Sequence, residues 1–372
     1  MERSALTGTG LWVPAASISN EELVASHRAA VARWNDEHAG EIAAGRAEAR
    51  DPSSEAFIVK ASGIQRRYVV EKEGVLDPAR LRPHLPLRGE DQLSVQAEIC
   101  AAAAREALAR AGREPRDVDA VIVACSNLQR PYPAVAIEVQ QALGARGFAF
   151  DLNVACSSAT FGLQTAANAV ACGHARRALV LSPELTSGHN NFALREFHFI
   201  FGDACTAALV EPLADARPGA FEIVSTRLQT RFSNHIRNDF GFLNRCEDGE
   251  RDPAELVFRQ NGRQVFREVC PLVSEQILGH LADEGLAPSD LRRLWLHQAN
   301  LGMNELIART VLGRDPKPGE APVILDEFAN TSSAGSVIAF HRFHEDLAAG
   351  DLGVLCSFGA GYSIGSVLLR RL

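Results

Sequence analysis

Short apolar runs alternate with longer amphipathic stretches along most of this chain. Runs of four to eight residues that are rich in β-branched side chains and bounded by polar residues or glycine are typical of buried strands. The longer stretches are alanine-rich, have helical spacing and close at a glycine suited to a helix C-cap. This alternation predicts a layered α/β fold. The predicted strands lie in 119–126, 177–184, 207–211, 293–299 and 353–359, and the predicted helices in 94–112, 160–173 and 264–285.

Two segments of the chain resemble each other and indicate an internal duplication. In 150–166 and again in 323–340, an apolar run meets small hydroxyl residues and then an amphipathic helix. Small residues at such junctions also cap ordinary helices, which is the simpler explanation. The chain of 372 residues is nevertheless longer than one hydrophobic core usually supports. Because Pro, Asp and Gly cluster in 211–220, we expect two halves, 1–211 and 212–372.

Two segments of the first half are expected to be surface insertions. Residues 27–51 are rich in alanine and charged side chains at helical spacing, and residues 74–91 contain three prolines. One interpretation is a lid over a site. The other is a solvated helix and a loop, because charge-laced helices are usually exposed faces.

Charge, cysteine content and hydropathy exclude several classes of protein. A formal net charge of −8 argues against a nucleic-acid binder. The eight cysteines form no CxxC pair and are expected to be reduced. We expect a cytoplasmic protein without a membrane span, because the sequence has no signal-peptide core and no run near the ~20 apolar residues that a span needs. The histidines form no HxxxH or HExxH pair, so no metal is predicted.

Cys156 lies between an apolar run and a predicted buried helix. A sulfur at the first turn of a helix is stabilised as a thiolate by free backbone N–H groups and by the helix dipole, which lower a thiol pKa from ~8.5. The same N–H groups can hold an oxyanion. The alternative is that Cys156 is a small buried apolar residue, as most free cysteines are.

Two further polar residues follow apolar runs in the second half. His297 begins the segment HQAN, and Asn330 begins the segment NTSSAGS. A histidine in such a position is more often a core residue, and an asparagine there more often caps a helix. The glycines of 357–366 permit a tight loop close to a ligand, although strand packing also explains them. None of these segments identifies a function alone.

Taken together and in order, these segments resemble the β-ketoacyl-acyl-carrier-protein synthase III family of the thiolase superfamily. The most specific parts are NVACSSATFGL around Cys156, HQAN and NTSSAGS. The resemblance implies a thiolase-like five-layered αβαβα fold of two duplicated halves, a homodimer, and an active site between the halves. The segments that carry it are 62–69, 126–144, 153–163, 201–211, 261–269, 297–300, 330–336 and 358–366, together with TGTGLWVPAASISNEEL near the start.

The resemblance also implies a role for individual residues. Cys156 would take an acyl group from acyl-CoA, with the carbonyl oxygen held by the backbone N–H groups of Cys156 and Gly361. His297 and Asn330 would donate hydrogen bonds to the thioester oxygen of malonyl-acyl carrier protein, where charge develops as carbon dioxide leaves. The resulting carbanion would attack the acyl group on Cys156. This decarboxylative Claisen condensation uses coenzyme A thioesters as substrates and no cofactor.

Four more residues are expected to contact substrate. Tyr132 stands where the family has an aromatic residue that bounds the primer pocket, and it is expected to reach across a dimer interface. Phe57 replaces a tryptophan, and Ala61 an arginine, of a pair that grips the adenine of coenzyme A. We also expect Phe201 and Gly359 at the pocket. HQAN is followed by LGMN, without the family's arginine for carrier docking.

These departures and the two insertions favour a medium-chain primer over acetyl-CoA, in fatty-acid or related biosynthesis. Three alternatives stay open. The first is a ketosynthase that joins two longer acyl units, as dialkylresorcinol- or cyclohexanedione-forming relatives do. The second is an acyltransferase without decarboxylation, for which Asn330 would be dispensable. The third is a non-catalytic partner subunit, which the intact Cys–His–Asn set argues against. The sequence does not choose between coenzyme A and carrier protein as the acyl donor.

Overall fold

Thirteen strands and eleven α-helices form the part of the chain that the computed structural model describes, residues 2–372. The strands are β1 (Ser4–Trp12), β2 (Ala16–Ser19), β3 (Arg66–Val69), β4 (Ala120–Ala124), β5 (Phe148–Leu152), β6 (Ala178–Glu184), β7 (Ala204–Pro212), β8 (Phe221–Thr230), β9 (Ile236–Arg237), β10 (Arg259–Gln260), β11 (Leu291–Leu296), β12 (Leu352–Gly359) and β13 (Ser363–Arg371). The helices are α1 (Asn20–Glu37), α2 (Ala39–Ala43), α3 (Glu55–Ser62), α4 (Glu73–Leu76), α5 (Val95–Ala111), α6 (Val135–Leu143), α7 (Ser158–Ala171), α8 (Gly262–Asp283), α9 (Leu301–Leu312), α10 (Leu325–Phe328) and α11 (Ala334–Arg342). No helix of this described part has the length and apolarity needed to cross a bilayer.

Nine strands form one sheet in the order β11-β12-β13-β8-β1-β7-β6-β4-β5. From β1 outward, β1–β7 and β7–β6 pair antiparallel and β6–β4 pair parallel. From β8 outward, β8–β13 and β13–β12 pair antiparallel and β12–β11 pair parallel. The two series meet where β1 and β8 pair antiparallel over a few residues. The repeated pattern agrees with a duplication, while a division of the chain between residues 211 and 212 stays a prediction.

The helices and the two strand series form five layers, three of helices and two of strands. Helices α5 and α6 cover the outer face of the β1 series, and α8 and α9 cover the outer face of the β8 series. Helices α7 and α11 lie between the two series and contact strands of both. This helix–sheet–helix–sheet–helix order is the αβαβα fold that the sequence predicts.

Close contact between α5 and β1 explains two glycines near the start of the chain. A Cβ on Gly8 would lie 2.2 Å from the carbonyl oxygen of Ala107, and one on Gly10 would lie 2.0 Å from that of Ala103. Alanines on the helix and glycines on the strand therefore let the two backbones approach closely.

Three sequence-based boundaries differ from the structure near the site. Strand β5 ends at Leu152 and β11 ends at Leu296, so the residues around the chemistry lie in loops after the strands. The apolar run before Asn330 is the short helix α10, not a strand. Leu325 and Phe328, three positions apart, are both buried on one face of that helix, and such spacing satisfies helical packing as well as strand packing.

The two predicted insertions lie away from the chemistry. Residues 27–51 continue α1 and form α2, and residues 74–91 are mostly loop. Neither of these fully described segments lines a cavity at Cys156. Whether either segment acts as a lid or is only a surface helix and loop stays a prediction.

Candidate active site

The three predicted catalytic residues line one cavity of about 800 Å³. Cys156 lies in the loop between β5 and α7, His297 directly follows β11, and Asn330 follows α10. Two loops after strands and one after a short helix thus bring together side chains from both halves of the chain. The central requirement of the predicted chemistry, one shared cavity, is met by this geometry.

The loops that carry Cys156 and Asn330 contain strained backbone. Ala155, Ala329 and Ser332 have φ values of 48°, 57° and 48°, a left-handed conformation that residues other than glycine seldom adopt. Hydrogen bonds hold the first turn, because the Ala155 N–H donates to Asn153 Oδ1 at 2.9 Å and the Ser158 hydroxyl donates to the Ala155 carbonyl at 2.7 Å. Such strain persists only where the surroundings fix it, and it clusters at functional sites.

Three donors face the sulfur of Cys156. The Ser332 hydroxyl donates to Sγ at 3.4 Å, and the backbone N–H groups of Cys156 and Ala360 lie close enough to the sulfur to lower the thiol pKa. Ala360 directly precedes Gly361, the predicted second amide, which takes the left-handed turn between β12 and β13 with a φ of 67°; the oxyanion role of either amide stays a prediction. Gly359 is needed for close approach, because a Cβ there would lie 2.6 Å from the Cys156 Cβ.

The Cys156 thiol is not acidic in this structure. Helix α7 begins at Ser158 with Ser157 as its N-cap, so Cys156 precedes the first turn. Protein atoms surround the sulfur, although the residue is partly accessible through the cavity, and this burial raises the pKa of the thiol to about 11 despite the three hydrogen bonds that lower it. The predicted low-pKa thiolate is wrong, because loss of solvent outweighs the amide donors.

His297 and Asn330 are arranged as neutral donors. Burial lowers the pKa of His297 to about 4, and its buried Nδ1 has no hydrogen-bond partner within residues 2–372. The imidazole is therefore uncharged near neutral pH, and its ring packs edge-on against Phe358 at 5.0 Å. The Oδ1 atom of Asn330 accepts the Ser332 N–H at 2.9 Å, which leaves the Nδ2 group of Asn330 to donate to a ligand.

Comparison with known proteins decides the family. The model for 3-oxoacyl-acyl-carrier-protein synthase III matches residues 150–231, and the model for the C-terminal part of that synthase matches residues 281–371. The β-ketodecanoyl-acyl-carrier-protein synthase of Pseudomonas aeruginosa is 58% identical over 343 residues, which cover 92% of this chain and 98% of that protein. The chain belongs to the β-ketoacyl-acyl-carrier-protein synthase III family. The predicted class, an acyltransferase that acts as a condensing enzyme of fatty-acid biosynthesis, is confirmed.

Other members of the synthase III family match along the whole length. The synthase III of Granulibacter bethesdensis is 30% identical over 376 residues and covers 100% of both chains. Among solved structures, the synthase III of Pseudomonas aeruginosa superposes with a TM-score of 0.76 at 24% identity, covering 99% of this chain and 98% of that one. The Thermus thermophilus structure gives a TM-score of 0.76 at 25% identity and covers 98% of both. These superpositions confirm the thiolase-like fold.

The cavity wall of this synthase III is largely apolar. Phe201 and Gly359 line it as predicted, and so does Ala61. Sequence reasoning missed Phe258, whose ring lies edge-on to Phe201 at 4.6 Å. It also missed the contribution of α8 and α9, because an amphipathic pattern shows that a face is buried but not what it meets. The residues that these two helices place in the wall include Val265, Phe266, Val269, Cys270, Met303 and Leu306.

Two of the predicted substrate contacts lie outside the cavity. Phe57 packs edge-on against Phe199, with ring centroids 5.8 Å apart, and the guanidinium of Arg195 covers its face at 4.1 Å. The Phe57 ring therefore supports the cavity wall through Phe199, which does line it. Tyr132 is 82% exposed and lines neither cavity at Cys156.

A second cavity of about 320 Å³ also reaches Cys156 in this synthase III. It shares Phe201 and Phe258 with the larger cavity. Its wall is more polar and includes Asn127 and His189. Cys156 is thus accessible from two cavities, of which only the larger is lined by His297 and Asn330.

Proposed function

We propose that this synthase transfers a medium-chain acyl group, octanoyl in particular, from coenzyme A to Cys156 and condenses it with malonyl-acyl carrier protein. The observation that carries the proposal is the meeting of Cys156, His297 and Asn330 in one largely apolar cavity. The primer length follows from the name of the 58% identical relative, a β-ketodecanoyl synthase. Because condensation with a malonyl unit adds two carbons, a ten-carbon product requires an eight-carbon primer.

Acyl transfer to Cys156 is the first proposed step. The sulfur attacks the thioester carbonyl, the new sulfur–carbon bond forms, the bond to the coenzyme A sulfur breaks, and the thiol proton ends on the departing thiol. Charge on the carbonyl oxygen is stabilised by the backbone N–H groups of Cys156 and Ala360, which already converge on the sulfur. Coenzyme A is a substrate here, and the step includes no cofactor.

Decarboxylation of the malonyl thioester is the second proposed step. His297 and the Nδ2 group of Asn330 donate hydrogen bonds to the thioester oxygen. Breaking the bond to the carboxylate releases carbon dioxide and leaves the electron pair in an enolate, whose charge these donors stabilise. The enolate carbon then attacks the acyl carbonyl, and the Cys156 sulfur leaves and regains a proton. An uncharged imidazole can fill this role, because one of its two ring nitrogens carries a hydrogen that it can donate.

A second copy of the chain is proposed to complete the enzyme. Strand β5 is an edge of the nine-stranded sheet, so its outer backbone groups lack a strand partner within the described chain. Apolar side chains are exposed close to this edge, with Ile137 49% and Phe148 40% accessible. The free β5 edge and its exposed apolar side chains support a homodimer in which the β5 strands of two chains pair. Tyr132 is exposed in the single chain and would bound the primer pocket of the other copy.

The most direct test is incubation of the purified enzyme with octanoyl-CoA and malonyl-acyl carrier protein. We expect an octanoyl mass increase on Cys156, release of carbon dioxide, and a β-ketodecanoyl product on the carrier. A series of acyl-CoA primers from acetyl to hexadecanoyl provides the control for chain length. Octanoyl transfer without carbon dioxide release would favour the acyltransferase alternative, and a requirement for a β-ketoacyl second substrate would favour the ketosynthase that joins two longer units.

The proposed docking site for the acidic carrier protein lies on α8. Arg263 and Arg267 are exposed and border the larger cavity, which supports a role in place of the missing arginine after HQAN. Reversing both charges in the R263E/R267E variant is expected to raise the KM for malonyl-acyl carrier protein about tenfold while kcat changes less than about twofold, because rim charges act mainly on association. The R105E variant, which changes an exposed arginine on α5, is the matched control. An unchanged KM in R263E/R267E, or an equal rise in R105E, would exclude this docking site.

A further inference from the structure

Ser332 contacts two members of the proposed catalytic set, Cys156 and Asn330. Its hydroxyl donates to Cys156 Sγ at 3.4 Å, and its N–H donates to Asn330 Oδ1 at 2.9 Å. The proposed acyl transfer gives this hydroxyl no role, because the amides of Cys156 and Ala360 stabilise the carbonyl oxygen.

The position of the Ser332 hydroxyl is imposed by the loop. Ser332 is left-handed with a φ of 48°, and on its other side Ser333 is fixed by a buried carboxylate. The Glu184 side chain, at the end of β6, accepts the Ser333 N–H at 3.2 Å and the Ser333 hydroxyl. The same carboxylate accepts the Ser126 N–H at 3.0 Å. Asn330 on one side and Glu184 on the other therefore hold a strained backbone that aims a hydroxyl at the sulfur.

We propose that the Ser332 hydroxyl is a further catalytic group of this synthase, donating a hydrogen bond that stabilises the Cys156 sulfur as the thiol loses its proton at the start of acyl transfer. The inference rests on the proposed function, since it assigns a role in its first step. A sulfur surrounded by protein gains little from water when it becomes anionic, so a fixed donor stabilises the charged form selectively. The proton balance is unchanged, because the thiol proton still ends on the departing coenzyme A thiol.

Neighbouring hydroxyls offer a control for a purely structural role. Ser336, one turn further along in α11, is fully buried, and its Oγ has no hydrogen-bond partner within residues 2–372. Its replacement by alanine removes the same atom from the same packed region without changing a contact to sulfur. A packing effect would appear in both variants, whereas loss of the donor would appear only at Ser332.

The test compares S332A, S332G and S336A with the unmodified enzyme. Alkylation of Cys156 by iodoacetamide is followed from pH 6 to pH 11 by peptide mass spectrometry, and octanoyl transfer is followed by the mass of the intact protein. In S332A we expect the alkylation rate at each pH below the thiol pKa to fall about tenfold, which corresponds to a rise of about one unit in that pKa, and octanoyl transfer near pH 7.5 to slow about tenfold. S332G should show the same shifts without backbone strain, because glycine accepts a positive φ. S336A should match the unmodified enzyme.

A second readout distinguishes this inference from the proposed function itself. In a C156A background, carbon dioxide release from malonyl-acyl carrier protein depends on His297 and Asn330 and should not change when S332A is added. An alkylation profile of S332A and S332G that coincides with that of the unmodified enzyme overturns the role of the hydroxyl. Absence of carbon dioxide release already in C156A alone would instead contradict the decarboxylation step. The melting temperature of each variant shows that it is folded.

Discussion

The C156A variant is expected to take up no octanoyl group from octanoyl-CoA and to form β-ketodecanoyl product at least about 10³-fold more slowly than the unmodified enzyme. The reason is that the proposed reaction proceeds through a thioester on this sulfur, and removal of a nucleophile leaves only the catalysis due to binding and oxyanion stabilisation. The effect is measured as the mass of the intact protein after incubation and as the rate of product formation on the carrier.

The matched control for C156A is C172A, which removes an exposed cysteine at the end of α7. C172A should acylate and condense at the rate of the unmodified enzyme. A C156A protein that still gains the octanoyl mass would place the acyl group on another residue. Condensation that proceeds at the normal rate in C156A would show that the acyl group is transferred directly between thioesters.

The order of motifs predicted the partners of Cys156 better than its local chemistry. His297 and Asn330 were identified from HQAN and NTSSAGS, and the structure places both in the cavity of Cys156. The pKa of the thiol could not be predicted in the same way, because it depends on desolvation by residues distant in sequence. Helix α7 starts at Ser158, two residues after Cys156, so the sulfur does not lie in the first turn of the helix as predicted.

The other residues of the candidate site lie in loops or depend on a second chain, and neither can be predicted from a sequence pattern. The sequence indicates a glycine-rich turn after β12, but only the folded backbone shows that the N–H of Ala360 lies close to the sulfur and that Gly361 takes a left-handed turn. Similarly, a serine in NTSSAGS is typical of a helix cap. Only the folded backbone shows that Ser332 has a left-handed φ of 48°. The role of Tyr132 requires a second chain, which no pattern within one chain can supply.

The layered fold was predictable for a physical reason that these details lack. Buried strands and amphipathic helices leave a periodic trace in the sequence, and β4, β6 and β12 lie almost where that trace predicts them. The cavity wall formed by α8 and α9 leaves no comparable trace, because a buried helical face looks the same whether it meets a sheet or a substrate.

The N330A variant is expected to acylate Cys156 at the normal rate and to release carbon dioxide about 10²- to 10³-fold more slowly. The Nδ2 group of Asn330 is proposed to contact the malonyl oxygen only, where charge appears as the carboxylate leaves, and loss of one such donor typically has an effect of this size. Octanoyl transfer is followed by protein mass, and decarboxylation by labelled carbon dioxide from malonyl-acyl carrier protein.

Asn330 also makes a structural contact that N330A removes, because its Oδ1 accepts the Ser332 N–H at 2.9 Å. The N330D variant is the matched control, because it keeps an acceptor for that N–H but replaces the proposed donor by an oxygen. If the donor matters, N330D should be as slow in decarboxylation as N330A while both acylate normally. Recovery of carbon dioxide release in N330D would reduce Asn330 to a support for the loop. Normal decarboxylation in both variants, with acyl transfer to an alcohol or amine, would identify the enzyme as an acyltransferase without condensation.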